Sequence, residues 1–312
     1  AAESVSDAAV IELDDADGRI ALPRSGAFMA ISLGWRSSGI APLFEGTVDD
    51  IRSRGTRGGG TTLNITAKSA DTTGKGKQAQ QKHWDDKTLG EVMEEAGKLA
   101  GFTVRVDPAL ASIRRAWWGM QAESFFHFGH RIAREVGGIF KVAGKTAILA
   151  RRNAGLSLGG AVLSAVTAER GRNLIGWDIS PVLGRPRYRT IITRFYDMKA
   201  AKWKEQKVQV GDMPLGDAEN TTRFTEADQD EAKRAGESGR EATDRNKGEG
   251  SVTIDGDPAA TPEGLCIVNG TRPGIDGAYR IDAVDHELSR DNGFTTTLTL
   301  KQPQGSAGSD TR

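Results

Sequence analysis

Residues Gly74-Lys75-Gly76-Lys77 invite a search for phosphate chemistry, because glycines and lysines ahead of a helix can offer backbone N–H groups and a cation to an anion. The phosphate-loop pattern G-x-x-x-x-G-K-[ST] nevertheless fails twice. Gln78 stands where a Mg²⁺-binding hydroxyl belongs, and Asp71 stands where the first glycine belongs. A second candidate is the pair His127 and His130, with Glu123 one helical turn upstream as the local source of a third metal ligand. At about 100° per residue, Phe125, Phe128, Gly129, Ile132 and Val136 share one helix face, while Glu123, His127, His130 and Arg134 share the other. That polar face reads as a metal site or as a solvated or inter-subunit surface, and the second reading is adopted.

The remaining chemistry-bearing residues have ordinary accounts. Cys266 lies in LCIVNG, a buried strand in which a thiol serves as a small apolar residue. His83 and His286 are isolated in sequence and read as structural. A cell-wall hydrolase would need two placed carboxylates or a zinc site, but Asp255, Asp257, Asp276 and Asp291 sit among glycines and prolines, where turn chemistry explains them. No residue is assigned as catalytic, cofactor-binding or metal-ligating.

The elements that carry these residues can be read from periodicity. With 312 residues, 39 of them glycine and only 6% aromatic, the chain is expected to fold as about two domains rich in short strands. AFMAISLGW, LFEGTVDDI and TTLNITAKSA alternate as antiparallel strands of a sandwich or barrel, with RGTRGGG at 54–60 as a flexible connection. Thr88-Leu89-Gly90-Glu91 matches a capping box, so the Lys/Gly/Gln run before it is read as a polar lead into a helix. Leu89, Val92, Met93, Ala96, Leu99 and Ala100 form the apolar stripe of that helix, and Gly101 ends it. FTVRVDP reads as a short strand stopped by Pro108. WWGM follows, then a second helix over 123–137 and a hairpin turning near Ala143-Gly144. Strands return from Leu156 to Val210. Residues 217–248 are strongly charged and almost free of large apolar side chains; Thr225 with Asp228 can cap a helix there, polar on all sides, as a solvated connector or a docking element. Four or five further strands follow up to about residue 302.

Charge is balanced in total, with 42 basic and 42 acidic residues, but not along the chain. Residues 1–50 hold 3 basic and 9 acidic side chains, 51–200 hold 25 and 12, and 201–312 hold 14 and 21. The basic middle lacks aromatics at stacking intervals, and complementary faces between copies explain the asymmetry at least as well as nucleic-acid binding. One cysteine rules out an internal disulfide. No apolar run reaches the length of a membrane span, so a soluble protein made in the cytoplasm, without membrane insertion, is expected.

Several blocks in order resemble a known family. KSAD followed by KHWDDKTLGEVMEEAGKLAGFTV, then ESFFHFGHRIAREVGGIFKV, FYD with VQVGD, and GDPAATPEGLCIVNGTRPGIDGAYRIDAVDHELSRDNGFTTTLTL are together similar to the late control protein D group. These are baseplate hub proteins of contractile-tailed phages, related to the hub module of VgrG. The resemblance implies a mainly β (α+β) fold with two tail-tube-like antiparallel β-barrels, an α/β insertion and a charged helical connector. Residues 1–85 would form the first barrel and 86–150 the insertion with its two helices. Residues 151–302 would form the second barrel, interrupted by 217–248, with strands of 151–215 as candidates to complete the first. Residues 303–312 would be a flexible tail. Because the chain starts at Ala1 and members usually have one or two strands before IELDDADGRIALP, missing N-terminal strands are expected.

As function, the resemblance implies a homotrimer forming a pseudo-hexameric ring between a six-fold tail tube and a three-fold spike. The implied neighbours are the tail tube or a tube-adaptor protein, the central spike protein and the baseplate wedge proteins, with the tape measure protein as a further candidate. DNA is implied only in transit, the place of action is the virion, and assembly takes place in the host cytoplasm. An R-type bacteriocin or a type VI secretion-like machine remains the alternative setting; a tail-associated hydrolase is a more distant one.

Overall fold

A computed structural model describes residues 6–70, 74–152, 163–182, 188–210 and 218–309. Asp71, the stretch 153–162, the Gly211-Asp212 end of VQVGD and the last residues of the expected tail lie outside the described residues. The fold is mainly β. Contacts divide the chain into two compact units, one made of Glu3–Arg131 with Ile139–Ala150, the other of Ile132–Gly138 with Arg151–Arg312.

In the first unit, β1 (Ala8–Asp14), β2 (Phe28–Trp35), β3 (Gly39–Thr56) and β4 (Gly60–Lys68) form an antiparallel sheet in the order β1-β4-β3-β2. The alternation read from TTLNITAKSA holds: Leu63 and Ile65 turn inward with Val48, and Leu13, Ile20, Met29 and Ile51 pack against them. Gly46 is required by a close crossing, since a Cβ there would lie 2.3 Å from the Lys68 carbonyl oxygen.

Next come β5 (Gln80–Thr88), α1 (Leu89–Ala100), β6 (Thr103–Val106), α2 (Pro108–Ala111), β7 (Arg114–Glu123), α3 (Phe125–Glu135), β8 (Gly138–Ala143) and β9 (Thr146–Arg151). β5 and β7 pair antiparallel as a two-stranded ribbon, and β6, β9 and β8 form a separate sheet. The polar lead is therefore partly a strand, and WWGM belongs to another. Trp84 and Trp118, opposite each other, bury one face of the ribbon, while His83, Asp85 and Trp117 beside them stay exposed.

Helix α1 matches its sequence signature. Thr88 and Glu91 complete the capping box, and Gly101 ends the helix in the left-handed conformation at φ 84°. Leu89, Val92, Met93, Ala96 and Ala100 are buried, but Leu99, at the margin of the stripe, is exposed. Helix α3 starts at Phe125, later than expected, because Glu123 still belongs to β7. Phe125 anchors an aromatic cluster, 5.6 Å from Phe102 and 5.5 Å edge-on from Phe140 between ring centres.

The second unit contains β10 (Val166–Glu169), β11 (Leu174–Ser180), β12 (Thr190–Asp197), β13 (Lys202–Gln209), β14 (Glu219–Glu226), α4 (Gln229–Arg245), β15 (Glu249–Asp255), β16 (Leu265–Asn269), β17 (Gly277–Ser289) and β18 (Gly293–Gln304). One sheet runs β10-β16-β17-β18-β15-β11, with only β10 and β16 parallel. Its inward residues, among them Val252, Ile254, Cys266, Tyr279, Ile281, Leu298 and Leu300, form one core. Residues 305–309, expected as part of a loose tail, turn back onto the loop between β16 and β17: Gly308 N–H donates to the Gly274 carbonyl at 2.9 Å and the Ser306 hydroxyl to that of Asp276 at 2.8 Å.

The charged segment 217–248 departs from expectation in two ways. Its first part is β14, parallel to β12 in the sheet β13-β12-β14. Its helix, α4, is capped by Asp228 rather than Thr225, and it is packed rather than solvated all round. Small residues make this possible: Gly236 and Gly239 let the helix lie against Val208 and Ile191, and the Thr193 hydroxyl donates to the Ala232 carbonyl at 2.7 Å.

Candidate assembly interface

Several chemical candidates of the sequence find a structural occupation. Gly76 lies in a 3-10 turn and is wedged between aromatic rings; a Cβ there would come 2.6 Å from Phe126 Cζ and 2.7 Å from Phe102 Cε2. Glu123, expected on a solvated helix face, is instead buried at the end of β7 and gripped by Arg131, whose Nε and Nη2 donate to its carboxylate at 3.2 and 2.5 Å. His127 stays exposed, its Nδ1 3.5 Å from Glu123 Oε2, and His130 is partly buried. The Glu123 carboxylate thus serves an ion pair that no period-3.6 count could foresee, because it belongs to a strand. Among the described residues no group of three His, Cys, Asp or Glu side chains is placed to hold a metal ion.

Cys266 is fully buried, and loss of solvation pushes its thiol up to about 12. His286 contacts the Thr296 hydroxyl at 2.9 Å, and burial lowers its pKa. Asp276 is a turn residue as read: it accepts from the N–H groups of Gly270, Thr271 and Arg272, and these bonds with the Thr271 hydroxyl outweigh burial, so its pKa is lowered. His83, by contrast, is exposed on the β5–β7 ribbon rather than built into a core.

What the structure does present is unpaired strand edge and apolar surface. Among the described residues β1 and β2 each pair on one side only, as do β10 and β11 of the six-stranded sheet. Such edges offer free backbone donors and acceptors to another chain. Val10 on β1 and Ile175 on β11 are exposed, as is Phe28 on β2 at 72%. At the tip of the β12–β13 hairpin Met198 is 83% exposed beside the edge-on pair Tyr196 and Trp203, and Phe224 on β14 is 75% exposed. Periodicity could not say which of these side chains stay exposed, and it placed Phe224 in the charged 217–248 segment rather than on a strand.

Within the second unit a buried guanidinium fixes the end of α4. Arg245, 2% exposed, donates through Nη2 to Asp282 and to Glu263, each at 2.7 Å, and Lys301 lies 3.4 Å from the other Asp282 oxygen. Burial alone would raise the Asp282 carboxyl, but Arg245 and Lys301 outweigh it and hold it below the usual carboxylate range.

These features define a mainly β protein with open strand edges and exposed apolar side chains among its described residues. No protein-family model matches the chain. It is 26% identical over 329 residues to the probable baseplate hub protein of Escherichia phage 186, covering 93% of this chain and 83% of that protein. The probable baseplate hub protein of Escherichia phage P2 is 29% identical over 160 residues, 51% of this chain and 41% of that one. In fold, the chain matches the crystal structure of a tail protein from Neisseria meningitidis MC58 with a TM-score of 0.68 at 14% identity, over 95% of this chain and 87% of that chain. The similarity to baseplate hub proteins drawn from the ordered sequence blocks is matched by these relatives.

Proposed function

We propose that this chain is the baseplate hub of a contractile phage tail and that it acts through its surfaces rather than through a catalytic group. The observation that carries this reading is the similarity to the phage 186 hub protein along 93% of the chain. Three copies close into a ring that joins a six-fold tail tube to a three-fold spike, with DNA passing through the lumen. The four-stranded sheet contributes to one barrel and the six-stranded sheet to the other, so that three chains present six similar modules. A heterologous interface closes when its rotation fits, and pairing of β1, β2, β10 and β11 around the ring covers edges that would otherwise invite aggregation. The acidic N-terminal fifty residues and the basic middle supply complementary charge between copies. The tail tube or its adaptor, the spike, the baseplate wedge and the tape measure protein are the neighbours this reading names, and the virion tail is its location.

Light scattering of the purified chain over a concentration series tests the ring. A trimer of three times 33.3 kDa is expected, with rings visible by negative-stain microscopy. A strict monomer at every concentration, persisting when a tube or spike protein is added, would overturn the proposal.

A further inference from the structure

The outward face of the β5–β7 ribbon carries a groove that the hub reading leaves without a task. Antiparallel register sets Gln81 opposite Gln121, His83 opposite Gly119 and Asp85 opposite Trp117. Strand alternation sends the side chains of Gln81, His83, Asp85, Trp117 and Gln121 outward, while Trp84 and Trp118 turn into the protein. These five and Met120 are among the residues that line a groove of about 450 Å³, within the rough 300–1,000 Å³ range of small-molecule sites.

Trp117 lies along its own strand rather than standing off it. A Cβ at Gly119 would fall 2.0 Å from Trp117 Cη2 and 2.5 Å from Cζ2, so only glycine leaves room for the ring to rest on the backbone. One side of the ring is thereby held, and the residue remains 49% exposed. The groove is bracketed by two non-glycine residues in the left-handed region, Asp86 and Ala122, each at φ 50°. Asp86 is held there by a two-pronged bond to Arg114, with both N···O distances 2.8 Å. Ala122 is the extra residue of a bulge: Gln80 pairs with Glu123 and Gln81 with Gln121, leaving Ala122 without an opposite number. Alanine gains nothing locally from a positive φ, and such strain collects where a surface must be aimed.

The chemistry of the face is specific. A flat apolar ring lies beside two planar amides, each offering a donor and an acceptor, and beside a carboxylate and an imidazole whose Oδ2 and Nε2 are 3.8 Å apart. A sugar ring in its chair form matches this combination, with an apolar C–H face for the indole and a rim of hydroxyls for the amides and the carboxylate. Anionic ligands fit less well, because Asp85 offsets the cationic Lys82 at the groove. We propose that this face binds a pyranose unit of a glycan chain, with Trp117 as the stacking platform and Gln81, Gln121 and Asp85 as hydroxyl partners. The site lies within one compact unit and does not depend on the hub reading.

The test uses the whole chain and three probes: a β-1,4-linked N-acetylglucosamine tetrasaccharide by calorimetric or NMR titration, and purified peptidoglycan sacculi and lipopolysaccharide by co-sedimentation. Saturable binding to one of them is expected. Trp117→Ala should weaken it about tenfold or more, with circular dichroism and melting temperature unchanged. Leu288→Ala, which removes an apolar side chain exposed on β17, should bind like the parent chain. Binding to sacculi or the tetrasaccharide assigns the ligand to wall glycan; binding to lipopolysaccharide alone assigns it to an outer polysaccharide. Should Trp117→Ala unfold, Gln121→Ala gives the same reading. No saturable binding to any probe, equal loss in Leu288→Ala, or binding that survives Trp117→Ala would overturn the site. So would self-association abolished by Trp117→Ala without any sugar binding, which would give the face to a second copy. The outcome is separable from the hub proposal, which is read from trimer mass alone.

Discussion

Helices α1 and α4 are both packed elements, yet they reach that state by opposite routes. Helix α1 buries Leu89, Val92 and Met93, large side chains whose spacing marks one face, so hydrophobic burial both forms the helix and orients it. Helix α4 has no large apolar side chain in its 17 residues. It brings its backbone close to the β12–β13 surface through Ala232, Gly236 and Gly239, which gains dispersion contacts, and fixes its C-terminal end with Arg245 between two carboxylates. Buried ion pairs add little net stability compared with apolar packing, but they penalise every misplacement of the charge. The contrast teaches that one helix is held by what it buries and the other by where it must sit.

The largest break in this contrast should come from Arg245→Ala, which removes the guanidinium shared by Glu263 and Asp282 and should cost about 3–5 kcal/mol. Hydrogen exchange should show lost protection in α4 while α1 is unchanged; equal protection in both would mean that the guanidinium does not hold the helix. In α1 the corresponding change is Met93→Ala, expected to cost about 2–5 kcal/mol from a cavity, with α4 protection intact.

Gly236→Ala sharpens the comparison, because propensity and packing disagree about its sign. In an exposed helix the change would stabilise by about 1 kcal/mol. Here the new Cβ would lie 2.6 Å from Val208 Cγ2, so a net loss of about 1–3 kcal/mol is expected in urea titration. A gain would show that α4 does not press on β13. Capping should matter alike in both helices: Thr88→Ala and Asp228→Ala should each cost about 1 kcal/mol.

Acid gives the smallest and most selective signal. Since the Asp282 carboxyl is held below its ordinary value of about 3.9, its contribution is complete above that pH and fades as pH falls through the lower folded value. Urea midpoints should therefore drop on going from about pH 5 to pH 3, and the drop should be smaller in Asp282→Asn. An identical drop in both would place the acid sensitivity elsewhere.

Legibility followed the same division. Thr88, Glu91 and Gly101 were readable because capping is local, and Cys266 because its neighbours in LCIVNG are apolar. The Glu123 ion pair was not, since Arg131 reaches it from a helix while Glu123 itself ends a strand. The groove at Trp117 was also hidden. It depends on β5 and β7 meeting across an intervening run of helices and a strand, and on a bulge at Ala122 that leaves no mark in composition.

The sequence by itself determined the mainly β character, the caps and apolar stripe of α1, and the likeness to baseplate hub proteins. Each of these rests on side-chain type and short-range spacing, which the chain carries before it folds. Only the tertiary structure decided that β5 pairs with β7, that α4 packs through glycines, that Arg245 is buried, and which strand edges stay open. Those outcomes depend on which distant segments meet and how closely they approach, and pairing and desolvation are properties of the folded surface rather than of any stretch of residues.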